Sequence, residues 1–108
     1  MKFVGTKQSG CVFCNVLASA EDDKNLVVWR GEQAFVMLNL YPYNTGHILV
    51  VANAHHASLE DLEPASRSEM MELATRSISV LRRVYEPDGF NMGANIGESA
   101  GAGIPGHV

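Results

Sequence analysis

The sequence predicts an α+β fold in which an antiparallel sheet carries one long amphipathic helix. Three observations lead there. Short β-rich apolar runs joined by turn residues fill positions 26–52, apolar positions recur at helical spacing from Pro64 to Tyr85, and strict two-residue alternation runs from Phe90 to Ile96.

The first strand is expected over Leu26-Val27-Val28-Trp29, with Arg30-Gly31-Glu32 as the turn that follows. Ala34 to Leu40 forms the second. The turn residues Tyr41-Pro42-Tyr43-Asn44-Thr45-Gly46 separate it from a third strand, His47 to Ala52. Connections this short join antiparallel neighbours, so the three make a meander. Beyond His55-His56 the period changes. Met70, Ala74, Ile78, Leu81 and Tyr85 line one helical stripe, flanked by Met71, Leu73 and Val84. Ser58 with Asp61 resembles a cap for a turn before this helix, Pro64 suits its first position, and Pro87-Asp88-Gly89 ends it. Phe90, Met92, Ala94 and Ile96 then alternate with Asn91, Gly93, Asn95 and Gly97, the pattern of a half-buried strand with small polar residues on one face. Four glycines follow in the ten residues from Gly97 to Gly106, a turn that can bring backbone N–H groups close to an anion. Residues 1–10 read as a loose terminus.

A chain of 108 residues with 46% hydrophobic and 19% charged residues has the composition of one folded domain. Its longest aliphatic run, Ile48 to Ala52, falls far short of the roughly 20 residues a membrane span needs. No apolar stretch follows Lys2 and Lys7 either, so no cleavable leader is expected and the cytoplasm is the expected location. The net charge is −4, and the eight basic residues form no stripe, which argues against an extended nucleic-acid surface. No Lys or Arg lies between Arg30 and Arg67 or after Arg83. An anion bound by those segments would rest on backbone N–H groups and histidines.

Cys11-Val12-Phe13-Cys14 is a C-x-x-C pair with no further cysteine. By spacing alone it is a metal half-site, a redox pair or two incidental thiols. Zinc would need two more ligands, and the chain offers His47, His55, His56 and His107.

Taken in order, these features resemble the histidine triad (HIT) superfamily of nucleotide hydrolases and transferases. The resemblance rests on Cys11-Val12-Phe13-Cys14, Val36-Met37-Leu38-Asn39, Asn44-Thr45-Gly46-His47-Ile48-Leu49-Val50-Val51, the long helix, Gly89-Phe90-Asn91-Met92-Gly93-Ala94-Asn95, and Gly101-Ala102-Gly103-Ile104-Pro105-Gly106-His107-Val108. Leu38-Asn39-Leu40-Tyr41-Pro42-Tyr43-Asn44 and Gly101-Ala102-Gly103-Ile104-Pro105 look most like the branch that acts on diadenosine polyphosphates.

The resemblance implies one HIT-like domain over residues 11–108, with a sheet of about five strands and a homodimeric state. It implies a purine nucleotide or dinucleoside polyphosphate as partner, with neither nucleic acid nor membrane. The family motif reads His-φ-His-φ-His-φ-φ, with φ apolar. His107 and Val108 are its first two residues, so the domain is expected to be cut inside the motif, with the middle histidine two residues past Val108. That histidine attacks the α-phosphorus and forms a nucleotidyl-histidine, which water or phosphate then resolves.

Carried over position by position, Asn39 would hold the ribose hydroxyls, and Asn95 would stand beside the attacked phosphate. Gly101, Gly103 and Ile104 belong to the phosphate-cradling loop. His47 and His107 would support the nucleophile. Cys11, Cys14, His55 and His107 would form a structural Cys₂His₂ zinc site, with His56 the second choice for the third ligand. Phe35, Met37, Leu38 and Ile48 suit the core or a base pocket equally, and Trp29 suits packing better than base stacking. A different class of function stays open beside the enzyme, a nucleotide-binding or regulatory module that never catalyses.

Overall fold

A computed structural model describes residues 11–39, 47–102, 104 and 106–108. The expected loose terminus, the Tyr41 to Gly46 turn and Gly103 lie outside the described residues. The chain forms α1 (Val12–Ala18), α2 (Asp22–Asn25), β1 (Val27–Arg30), β2 (Ala34–Leu38), β3 (Ile48–Ala52) and α3 (Pro64–Tyr85), with single 3-10 turns at Leu59–Asp61 and Glu98–Ala100.

The meander forms as expected. β1, β2 and β3 are consecutive antiparallel neighbours, with Phe35 opposite Val51 and Met37 opposite Leu49. A register shift between Val27 and Trp29 makes β1 irregular. Alternation along the strands divides the core between two faces. Phe35, Met37 and Val51 pack with Val27 against Val16 of α1, with Val12, Phe13 and Leu17 at the margin. Ala34 and Val36 pack against Leu73 of α3, joined by Ile48, Val50 and Met70. The sheet is therefore covered by α1 on one face and α3 on the other.

The expectation for the sheet changes. The sheet has three strands among the described residues, where about five were expected. Phe90 to Ile96 keeps its alternating pattern but joins no sheet, and Met92 and Ile96 are exposed. A strand exists only with a partner for its backbone groups, and alternation does not supply one. Helix α3 covers the expected residues, Pro64–Tyr85. Leu73 is its most deeply buried apolar residue, whereas Val80, Val84 and Tyr85 lie exposed. The apolar stripe outruns the three strands that cover it.

Helix α1 was absent from the sequence reading. Val12, Phe13, Val16 and Leu17 do carry the i, i+1, i+4, i+5 spacing of a short buried face. Cys11 is its N-cap, its Sγ accepting from the Cys14 N–H at 3.4 Å. At the start of α3, Pro64 takes the first helical position as expected. Ser58 stands at the N-cap position of the 3-10 turn without a side-chain capping bond, and its hydroxyl donates to the Glu60 carboxylate rather than meeting Asp61.

Candidate metal centre and nucleotide site

Four side chains from three separate parts of the chain converge beside α1. Cys11 and Cys14 come from the start of that helix, His55 from just after β3, and His107 from the far end. Their ligand atoms all lie within 4.8 Å of one another. Cys11 Sγ is 3.3 Å from His107 Nδ1, Cys14 Sγ is 3.3 Å from His55 Nδ1 and 3.6 Å from His107 Nδ1, and the two Nδ1 atoms are 3.2 Å apart.

These four separations are close to the edges of a metal tetrahedron. Bonds of about 2.3 Å to sulfur and about 2.0–2.1 Å to nitrogen place ligand atoms roughly 3.3–3.8 Å apart. Two soft sulfurs and two imidazole nitrogens are also the donors zinc prefers. The tautomer agrees. His107 Nε2 lies 2.6 Å from the Ala52 carbonyl, which can only accept, so Nε2 carries the proton and Nδ1 keeps its lone pair for the cluster. Burial pulls the His107 imidazole below its ordinary value, with His55 and His56 adding to the shift and the Ala52 bond opposing it. Burial also pushes the Cys14 thiol up, helped by its hydrogen bond to Cys11 and by that neighbour's charge. A metal that binds there must displace thiol protons.

Of the two adjacent histidines, His55 is the one that joins the cluster. His55 turns its ring into the cluster, while His56 offers its carbonyl to the Val108 N–H at 2.7 Å. The Ala52 N–H donates to the Val108 carbonyl at 3.1 Å. The last two residues thus dock on the end of β3. The ring of Phe13, between the two cysteines, packs edge-on against His107 with centroids 5.4 Å apart.

The residues expected to meet a nucleotide are more dispersed. Asn39 follows β2, and its Nδ2 lies 3.3 Å from either ring nitrogen of His47. The structure thus pairs His47 with Asn39. Asn95 is exposed, its Nδ2 3.5 Å from the Gly101 carbonyl. Gly101 has φ +101°, a conformation that glycine adopts without strain. The glycine segment was expected to present its amides to phosphate. In this structure the Ala100 and Ala102 N–H groups donate to the Gly97 carbonyl and that of Gly101 to Glu98, closing a 3-10 turn. Ile104 is half-buried and accepts from the His107 N–H at 3.2 Å. Of the residues with two readings, Phe35 and Met37 are core, Ile48 packs on the α3 side, and Leu38 and Trp29 are exposed.

The HIT domain pattern matches residues 20–107. The chain belongs to the HIT family. It is 42% identical over 87 residues to the AP-4-A phosphorylase of Mycobacterium tuberculosis, covering 81% of this chain and 45% of that protein. It is 27% identical over 100 residues to the adenosine 5'-monophosphoramidase of Saccharomyces cerevisiae, covering 93% of this chain and 60% of the relative. The chain thus spans about half the length of the mycobacterial phosphorylase it matches. Among solved structures, a zinc-bound histidine triad family protein from Mycobacterium smegmatis superposes with a TM-score of 0.78 at 25% identity, over 92% of this chain and 70% of that one. Among the described residues of this HIT chain, no helix is long and apolar enough to cross a membrane.

Proposed function

We propose that this HIT chain binds a purine nucleotide or dinucleoside polyphosphate, and that the whole protein is a nucleotidyl hydrolase or phosphorylase. Its substrates are diadenosine polyphosphates or AMP conjugates, and the attacking histidine lies beyond Val108. The observation that carries this reading is the docking of His107 and Val108 on the end of β3. It sets the opening of the triad motif beside the sheet, and the similarity to the mycobacterial phosphorylase points to the substrate class.

In this reading Asn39 holds the ribose diol, since an amide both donates and accepts. Asn95 and the segment containing Gly101, Gly103 and Ile104 meet the phosphates. No cationic side chain follows Arg83, so backbone N–H groups would supply the positive end of the contact, and the turn at Glu98–Ala100 must open for them to do so. Cys11, Cys14, His55 and His107 hold zinc, which supplies no reaction step and fastens α1 to both the β3 end and the last residues. The exposed stripe on α3 is the surface for a homodimer.

The deciding experiment is turnover of diadenosine tetraphosphate by the full-length product. Attack at the α-phosphorus releases ATP and leaves AMP on histidine. Water then gives AMP, and inorganic phosphate gives ADP. Burst-phase ATP with a nucleotidylated histidine is expected, and absence of both AMP binding and cleavage overturns the reading.

A further inference from the structure

We propose that Arg30 is the positioning residue of the metal centre, holding α1 where Cys11 and Cys14 meet His55 and His107. This rests on the reading of those four residues as a zinc site. Arg30 belongs to β1 and lies opposite Phe35, on the sheet face that α1 covers. Its Nη1 donates to the Leu17 carbonyl at 2.8 Å, and its Nη2 donates to Val16 at 3.1 Å and to Ser19 at 2.8 Å. The remaining edge grips Asp22. Nε lies 3.1 and 2.9 Å from the two carboxylate oxygens, and Nη2 lies 2.7 Å from Oδ1.

One guanidinium therefore collects the last carbonyls of α1 and the first acidic residue of α2. The Leu17 and Ser19 carbonyls take a donor from it, while that of Val16 also accepts from the Ser19 N–H at 3.2 Å. A helix leaves its final C=O groups without intrahelical donors, and α1 has no basic residue in its last turn. With seven residues it is also far below the length at which a helix stands alone.

The consequence falls on the ligands. Cys11 and Cys14 ride on α1, whereas His55 and His107 are placed by β3 and its Ala52 carbonyl. Any roll or slide of α1 over the sheet carries both sulfurs away from both nitrogens. Burial of Val16 holds the helix against the sheet, but apolar contact is non-directional. The planar fork of Arg30 is directional and fixes the helix at the end opposite the cysteines. Lysine, a single point charge, cannot satisfy three carbonyls and a carboxylate together.

The test measures zinc affinity by competition with a chromophoric chelator, at a temperature where circular dichroism shows every variant folded. Cobalt(II) absorption serves as a geometric readout. The wild-type chain is expected to hold one zinc. Arg30→Met should weaken binding by about 10-fold or more, the range typical of lost outer-shell support, with a weakened tetrahedral cobalt band. Arg30→Lys keeps the charge and is the variant that decides if Arg30→Met does not fold; it should show a smaller loss in the same direction. A residue that only supports overall stability leaves the affinity of the folded protein unmoved. Wild-type affinity within twofold in the folded variants overturns the positioning role alone. Failure of the wild-type chain to bind zinc overturns the metal centre and this proposal with it.

Discussion

His107 Nε2 donates to the Ala52 carbonyl across 2.6 Å in a buried setting, which aims Nδ1 at the two cysteines. Strand β3 thereby orients a side chain of the proposed metal centre that comes from a distant part of the sequence. His107→Ala is expected to abolish stoichiometric zinc and to leave the Ala52 carbonyl unsatisfied, at a cost of about 1–3 kcal/mol to the metal-free protein. Metal analysis after dialysis checks the first effect and urea unfolding in chelator the second. His56→Ala should retain the metal, because that residue contributes its backbone carbonyl.

The Arg30 guanidinium, by its hydrogen bonds, holds the Asp22 carboxyl below its ordinary value of 3.8. A group depressed in the folded state is protonated first in the unfolded chain, so its contribution is complete well above pH 3.8 and disappears as pH falls through the lower folded value. Unfolding midpoints in chelator should therefore drop below about pH 4, and Asp22→Asn should flatten that part of the curve while lowering the plateau above it. A variant whose acid limb is as steep as the parent's would assign the effect to other carboxylates.

The β-meander and α3 were legible because their patterns are local: short continuous apolar runs around Phe35 and Val51 bounded by turn residues, and a helical stripe opened by Pro64. The Cys11–Cys14 spacing was legible for the same reason. What escaped was decided by partners distant in the sequence. Nothing near Arg30 signals that its fork closes on Val16, Leu17 and Ser19, and α1, capped by a cysteine and only seven residues long, lacks the usual start signals. Spacing alone left His55 and His56 equivalent, and the placement of His55 in the cluster follows from how the chain leaves β3. The alternation of Phe90 to Ile96 was read correctly as a pattern, but pairing is a property of two segments.

Glu69 on α3 accepts from the Gln33 N–H at 2.7 Å and the Ala34 N–H at 2.9 Å, tying the helix to the β1–β2 turn. A methyl group on Gly31 would collide with the same carboxylate and come within 3.0 Å of the Ala34 carbonyl. Gly31→Ala should therefore destabilise by displacing Glu69. Glu69→Ala should cost about 1–3 kcal/mol through the two freed N–H groups. The double variant is expected to fall well short of the sum, because both changes break one contact. Denaturant midpoints for the four proteins test this, and full additivity would disconnect the two residues.

Val84 is 63% exposed and Val80 48%, on a helix whose N-terminal half buries Leu73 in the sheet. An apolar stripe that continues past its cover fits the homodimer proposed above. Val84→Glu should turn a dimer into a monomer in sedimentation velocity at micromolar concentration, with the helical signal unchanged. An assembly state that ignores Val84 would move the interface elsewhere.

Asn39 carries the most specific test of nucleotide recognition. Its amide nitrogen lies 3.3 Å from both His47 ring nitrogens, so His47 restricts the amide, and a restricted amide loses less freedom on reading a diol than a free one. If Asn39 holds the ribose hydroxyls, the parent should bind AMP more tightly than 2′,3′-dideoxy-AMP. Loss of a typical hydrogen bond, about 0.5–1.5 kcal/mol, corresponds to roughly 2- to 13-fold in affinity. Asn39→Ala should weaken AMP binding by that factor and bind the dideoxy nucleotide as the parent does, because the partner of the amide is missing in both. Calorimetric titration of the two ligands into the two proteins gives the coupling directly. Equal loss for both nucleotides would mean that Asn39 acts through His47 or the backbone, and the ribose contact would then belong to another residue.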